Sequence, residues 1–179
     1  DQEGVSYKPF SKVAAWCVIR YLLCDKLADK KYQTLCCDIF TKLAECISPL
    51  FVMKRVASMF LGAGKGGKAA ATEEGGESPS APTLVVSPIA HQCFLDWCKA
   101  MVTEFGINRF ADSGGGNNNT ATTTKVLQYI ITNIILIEVD HKTAGVRSGA
   151  VDLAGLLYGQ VGPRLLTLGI IKDDTKPQI

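Results

Sequence analysis

The sequence predicts an all-α fold, a stack of antiparallel helical hairpins, and three observations carry that expectation. The run from Thr124 to Glu138, KVLQYIITNIILIE at its heart, is too long for an ordinary strand and ordinary for a helix. A short charged turn follows, Val139-Asp140-His141-Lys142-Thr143. A second amphipathic segment then opens at Gly145-Val146-Arg147 and closes at Gln160-Val161-Gly162-Pro163. Isoleucine and valine favour strands, but Leu127, Ile130, Ile131 and Ile134 recur three or four apart, which stacks them on one helical face. Ile135 and Ile137 widen the apolar surface, so this helix is expected to be buried on more than one side.

The remaining elements follow in order. Residues 1–9 read as a poorly ordered lead-in. Phe10 to Leu27 is expected to form the first helix, with Val13, Cys17, Tyr21 and Cys24 on its inner face. A turn at Ala28-Asp29-Lys30-Lys31 leads to a second helix from Tyr32 to Ile47, where Leu35, Ile39, Leu43 and Cys46 repeat at helical spacing. Ser48-Pro49 ends it, because proline cannot continue a helix and constrains the residue before it. A third helix spans Leu50 to Leu61. Ser87-Pro88 is a helix-start pair and opens a fourth, Ile89 to Phe105, with Ala90, Phe94, Trp97, Met101 and Phe105 along its face. After Pro163 a further element begins.

Two stretches break the helical pattern. Residues 62–87 are dominated by Gly, Ala, Lys, Glu, Ser and Pro, a composition that cannot bury enough surface to offset its ordering entropy. Residues 112–122 are rich in Gly and Asn, and both stretches are expected to be flexible insertions in one domain of residues 1–179. Within the first, Gly62 to Lys68 satisfies G-x-x-x-x-G-K. A phosphate-binding loop needs Ser or Thr next, to hold Mg²⁺, and the next residue is Ala69. It also needs a preceding strand, where a helix is expected, so the segment reads as a loop.

At 179 residues and 47% hydrophobic content the chain can bury a sizeable core as one domain. A net charge of +2 creates no strong global field toward nucleic acid, and aromatic residues do not interleave with the scattered basic ones. The longest apolar run is interrupted by Thr132, Asn133 and Glu138, so no membrane span is expected. Position 1 is Asp, which suggests a piece of a longer protein, and no signal-peptide pattern opens it. The seven cysteines, odd in number and without C-x-x-C, suit a reducing cytosol in which cysteine acts as a small buried apolar group. His91, Cys93 and Cys98 could supply metal ligands, yet a structural site wants a fourth ligand and tighter spacing, so helix packing is the simpler reading. With two histidines and only the charged turn of Lys172, Asp173, Asp174 and Lys176, there is little raw material for general acid/base chemistry. No catalytic residue, cofactor or metal is expected.

Helix, polar turn with Asp, Val-Arg at the next helix start, then Gly-Pro is the layout of a HEAT-type repeat, in which stacked hairpins share one continuous core. From Trp97 onward the chain resembles the latter part of a TOG domain of the ch-TOG family of microtubule polymerases. The resemblance rests on Leu95-Asp96-Trp97, Glu104-Phe105-Gly106, Ala144-Gly145-Val146-Arg147, Leu156-Leu157-Tyr158 with Val161-Gly162-Pro163, and Lys172-Asp173-Asp174 before Lys176-Pro177. Phe10-Ser11-Lys12, Asp25 to Asp29 and Val56 to Phe60 fit the same template, most closely the family's fourth TOG domain. The insertions at 62–87 and 112–122 depart from that template.

The resemblance implies a HEAT/ARM-like right-handed stack, a partial TOG domain covering roughly the last two-thirds of a complete one. It also implies a tubulin- or microtubule-binding module that promotes microtubule assembly, working in the cytoplasm on microtubules, the spindle or its poles. Carried over by position, the tubulin-contacting turns hold Asp29, Lys30 and Lys31, and then Asp140, His141, Lys142 and Arg147. Cationic side chains on short rigid turns can pair with acidic groups of tubulin in a salt-sensitive way. A solvated turn is the plain alternative for the lysines, and an internal bond to Asp140 the alternative for Arg147. The implied partners are αβ-tubulin or the microtubule lattice and adjoining domains of the same polypeptide, with no nucleic acid and no membrane. The competing expectation is a HEAT-type scaffold for a non-tubulin protein, acting through an apolar helix face.

Overall fold

The structure, a computed structural model, describes residues 11–61, 86–110 and 120–167. Phe10 and the lead-in, the G-x-x-x-x-G-K stretch, most of both expected insertions and the charged turn at 172–176 lie outside the described residues. Among the described residues every regular element is helical and no strand occurs.

The first helix, α1 (Lys12–Val18), is capped by Ser11, whose side chain accepts from Val13 N. It continues through a π-helical turn (Ile19–Leu23) and a 3-10 turn (Cys24–Ala28). The residues facing inward are Ala15, Ile19, Cys24 and Leu27, and the expected stripe is corrected: Val13 is 72% and Tyr21 66% exposed, and Cys17 is also exposed. The physical reason is the π turn. Cys24 N bonds to Ile19 O, five residues back, so an extra residue enters the turn and the inward register shifts. Arg20 and Arg55 lie over the Trp16 ring at 5.9 and 5.0 Å, covering part of its aromatic surface.

α2 (Gln33–Cys46) is also rotated from expectation. It buries Cys36, Phe40, Leu43 and Ala44, whereas Leu35 is 57% exposed and Cys46 is exposed. Phe40 decides the rotation, because its ring packs edge-on against Trp97 at 5.5 Å. α3 (Pro49–Phe60) begins with Ser48 accepting from Phe51 N and proline in the first turn, as the Ser-Pro pair predicts. α4 (Pro88–Phe110) begins the same way at Ser87, and it buries Ala90, Phe94, Trp97 and Met101 as expected. It runs past Phe105, but Gly106 at φ 64 and ψ 149 breaks the helical path. α5 (Thr120–Ile130) starts inside the second expected insertion and passes through a second π turn (Ile131–Ile135) into α6 (Leu136–Val139). Leu127, Ile130, Ile131, Ile134 and Ile135 are buried, while Ile137 is 42% exposed. α7 (Ala144–Val161) ends at Gly162, with φ 70, and a short α8 (Arg164–Thr167) follows Pro163.

Side-chain contacts give the arrangement of these helices. Cys37 and Thr41 of α2 meet Cys93 and Trp97 of α4 in that order, so the two helices run in the same direction. Gln92, Leu95 and Val102 of α4 meet Gly145, Gly149 and Gln160 of α7, again in order. Thus α2, α4 and α7 form a parallel layer with α4 in the middle. On the other side, Arg55 of α3 reaches Trp16 of α1 and Lys54 of α3 reaches Tyr129 of α5, which puts α3 between α1 and α5. Met53, Phe60, Phe94, Ile130, Ile134 and Leu153 belong to one core cluster shared by the two sets of helices. Burying that shared apolar surface between the two sets of helices contributes about 25 cal/mol for each Å² removed from water.

Candidate functional site

Three helices begin at one end of the parallel layer, and their starts define the candidate site. The turn before α2 is held by local bonds: Asp29 N donates to Lys26 O at 3.0 Å, and Tyr32 N donates to Asp29 O at 2.9 Å. Asp29 Oδ1 accepts from Lys31 N at 3.0 Å, an Asx turn that fixes the loop. Asp29, Lys30 and Lys31 are all exposed, and Lys31 Nζ lies 5.4 Å from the Tyr32 ring centre. Lys30 lines an open groove of about 750 Å³ between α2 and α4, together with Gln33, Cys37, Ile89, Gln92 and Cys93.

The turn before α7 is built more tightly. Arg147 Nη1 donates to the carbonyls of His141 at 3.0 Å and Lys142 at 2.9 Å. Arg147 is therefore bonded internally, but the expected bond to Asp140 is corrected: its acceptors are the backbone oxygens of the turn. Thr143 N donates to His141 Nδ1 at 3.0 Å, and His141 N donates to Glu138 O at 3.2 Å. Asp140 and Lys142 are left exposed, and His141 is half-buried. Gly145 lies against the Gln92 side chain, where an added Cβ would sit 3.4 Å from its amide nitrogen. Gln92 thus touches this turn on one side and lines the groove shared with Lys30 on the other. The structure brings both sequence-predicted turns to the same end, flanking the start of α4.

Behind the second turn lies a cluster that sequence reasoning missed. Glu138 is 1% exposed, and its Oε1 lies 2.6 Å from His91 Nδ1. The His91 ring is 4.9 Å from the His141 ring and 5.8 Å from that of Phe60. A buried carboxylate is costly without partners, so this contact joins α6 to α4 where the turn begins. One signal pointed to it. Glu138 continues the stripe Leu127, Ile131, Ile134 at steps of four, three and four, so a charged residue occupies a core position. Its partner is 47 residues away in sequence, beyond the reach of any local pattern.

These three side chains bring their ligand atoms within 4.8 Å of one another, and two imidazoles with one carboxylate can serve Zn²⁺ with an open fourth position. The hydrogen bonds favour a different role. An imidazole whose Nδ1 accepts from Thr143 N carries its proton on Nε2 when neutral, which leaves neither nitrogen of His141 with a lone pair for a metal. The cluster is thus arranged as a hydrogen-bonded strut. The trio His91, Cys93 and Cys98 does not assemble: His91 faces Glu138, Cys93 faces Cys37, and Cys98 is buried in the core. Burial holds the Cys98 thiol well above its ordinary range, and the Glu138 charge adds to that.

No helix among the described residues is long and apolar enough to cross a membrane. No family, curated protein or solved structure matches the chain, so its own geometry carries the functional reading.

Proposed function

We propose that this chain is a protein-binding module of the HEAT type, a partial TOG-like domain, that engages αβ-tubulin or the microtubule lattice. The supporting observation is the parallel layer of α2, α4 and α7, in which the turns before α2 and α7 share one end. In that reading Lys30, Lys31 and Lys142 are the partner-facing cations, and Asp29 and Arg147 mainly hold their turns in shape. Short turns locked by local bonds lose little entropy when a partner docks, which favours recognition by such an edge. The role is binding, not turnover, and a lone domain captures a partner without delivering it, because delivery draws on linked sites.

Size-exclusion co-elution with purified αβ-tubulin at low and moderate salt tests the reading. A shifted peak that weakens with salt is the expected result. No shift at micromolar concentration, together with no co-sedimentation with assembled microtubules, would reject it. A scaffold for another protein is the second reading, and α7 supplies its observation. Val151 and Tyr158, one heptad apart, are 58% and 43% exposed, and an added Cβ at Gly155 or Gly159 would meet nothing within 4 Å. That face suits a neighbouring domain packed along α7.

A further inference from the structure

The Sγ atoms of Cys37 on α2 and Cys93 on α4 lie 3.5 Å apart, close enough for an S–H···S contact. Both residues are half-buried and both line the groove between the two helices, so small solutes reach them. The other cysteines differ. Cys24, Cys36 and Cys98 are buried, and Cys17 and Cys46 are exposed.

We propose that Cys37 and Cys93 form an oxidative modification site, at which a hydroperoxide drives closure of a disulfide across the α2–α4 seam. The Cys93 thiolate attacks a peroxide oxygen, the O–O bond breaks, and the departing hydroxide takes a proton to become water. Cys93 is left as a sulfenic acid. The Cys37 sulfur then attacks the Cys93 sulfur, the S–O bond breaks, and the leaving hydroxide takes the Cys37 proton as a second water. Two thiols and one hydrogen peroxide become one disulfide and two waters. The sulfurs lose two electrons and the peroxide oxygens gain them.

The order of events follows from the contact. Either sulfur can donate in this contact; with the proton on Cys37 it lowers the Cys93 pKa against the opposing effects of burial and Asp96. The same bond, with burial and the neighbouring Asp38, holds Cys37 protonated. Cys93 therefore meets the oxidant and Cys37 resolves it. Closing the sulfurs from 3.5 Å to about 2.05 Å needs a movement of about 1.5 Å across the seam. The bridge would fix α2 to α4 beside Lys30, Ile89 and Gln92. The proposal is independent of which partner uses that end.

The test treats the full chain with stoichiometric hydrogen peroxide and reads intact mass and linked peptides. The expected result is a monomer lighter by two hydrogens, with the Cys37 and Cys93 peptides joined, reversed by dithiothreitol. Cys37→Ser keeps a hydrogen-bond donor and removes the resolving sulfur, so a dimedone adduct should appear on Cys93. Cys93→Ser should show no adduct at Cys37 under the same conditions. Oxidation confined to Cys17 or Cys46, or a Cys37→Ser variant that yields no Cys93 adduct while circular dichroism shows it folded, would overturn the proposal. Loss of helicity in that variant moves the test to Cys37→Ala, which lacks the donor, so a slower but still Cys93-specific adduct is expected and its complete absence counts against the site.

Discussion

The side-chain amide of Gln160 on α7 bridges the break in α4, accepting from Ile107 N at 3.2 Å and donating to Val102 O at 2.8 Å. Gly106 interrupts the helix between those two residues, and its break takes both groups out of the regular ladder. One amide supplies the acceptor and the donor that the break requires. Gln160→Ala should therefore lower unfolding free energy by about 1 kcal/mol, with the partly exposed site limiting the loss. Gly106→Ala meets no steric obstacle, since no atom lies within 4 Å of the added Cβ. Its cost is conformational, because φ 64 with ψ 149 is a region that L residues avoid, and about 1–3 kcal/mol is expected. Urea unfolding of the two variants measures both effects.

What was legible in the sequence divides along physical lines. Helix existence and the Ser-Pro starts at Ser48 and Ser87 were readable, because caps and prolines act within one turn. The inner face of α4 was readable too, since Phe94, Trp97 and Met101 are large and regularly spaced. The faces of α1 and α2 were not. In α1 a π turn shifts the register, and in α2 apolar residues surround the helix, so the contact of Phe40 with Trp97 chooses the buried side. Both turns of the candidate site were placed from their residues. The alignment of those turns, and the meeting of His91 with Glu138, depend on packing between segments distant in the chain.

Arg147 is expected to matter for shape before it matters for contact. Its guanidinium holds two carbonyls of the turn at residues 141–142, so Arg147→Ala should cost about 1 kcal/mol and loosen that turn. Hydrogen exchange at the amides of Lys142 and Thr143 should speed up, with α2 unaffected. Lysine in its place lacks the planar fork and should restore the protection only in part.

Lys30, Lys31 and Lys142 are exposed and carry the partner-binding expectation. Their joint replacement by glutamate should leave the melting temperature within a few degrees, since surface charges contribute little to stability. Tubulin binding should fall at least tenfold, about 1.4 kcal/mol, and the remaining binding should lose its salt dependence. A variant that binds as tightly as the parent would assign recognition to another surface, with Val151 and Tyr158 next in line.

Glu138 separates a strut from a metal ligand. Glu138→Ala removes the partner of His91 from a site only 1% exposed, and a loss of roughly 2–4 kcal/mol is expected. Glu138→Gln keeps an oxygen that accepts from the ring and should cost less than half as much. Adding zinc or a chelator should leave the parent's unfolding curve unchanged. A zinc-dependent rise in melting temperature that Glu138→Gln abolishes would show a metal site instead.

Alkaline pH should destabilise the fold through groups whose pKa rises on burial. Burial, aided by Asp25 and Cys36, pushes the Cys24 thiol from its ordinary 9.0 up to about 12. Burial, aided by Cys98 and opposed by Arg55, pushes the Tyr129 phenol from 10.0 up to about 12. Below the ordinary values both groups are protonated in folded and unfolded chains alike, so they add no pH dependence there. Between the ordinary values and about 12 the unfolded chain releases protons that the folded chain retains, and stability falls as pH rises. Urea midpoints should decline from about pH 9 upward. Tyr129→Phe keeps a ring beneath Lys54, which lies 4.9 Å from its centre, and removes the ionisable hydroxyl. Its alkaline slope should be shallower than the parent's, and an unchanged slope would assign the loss to the buried thiols.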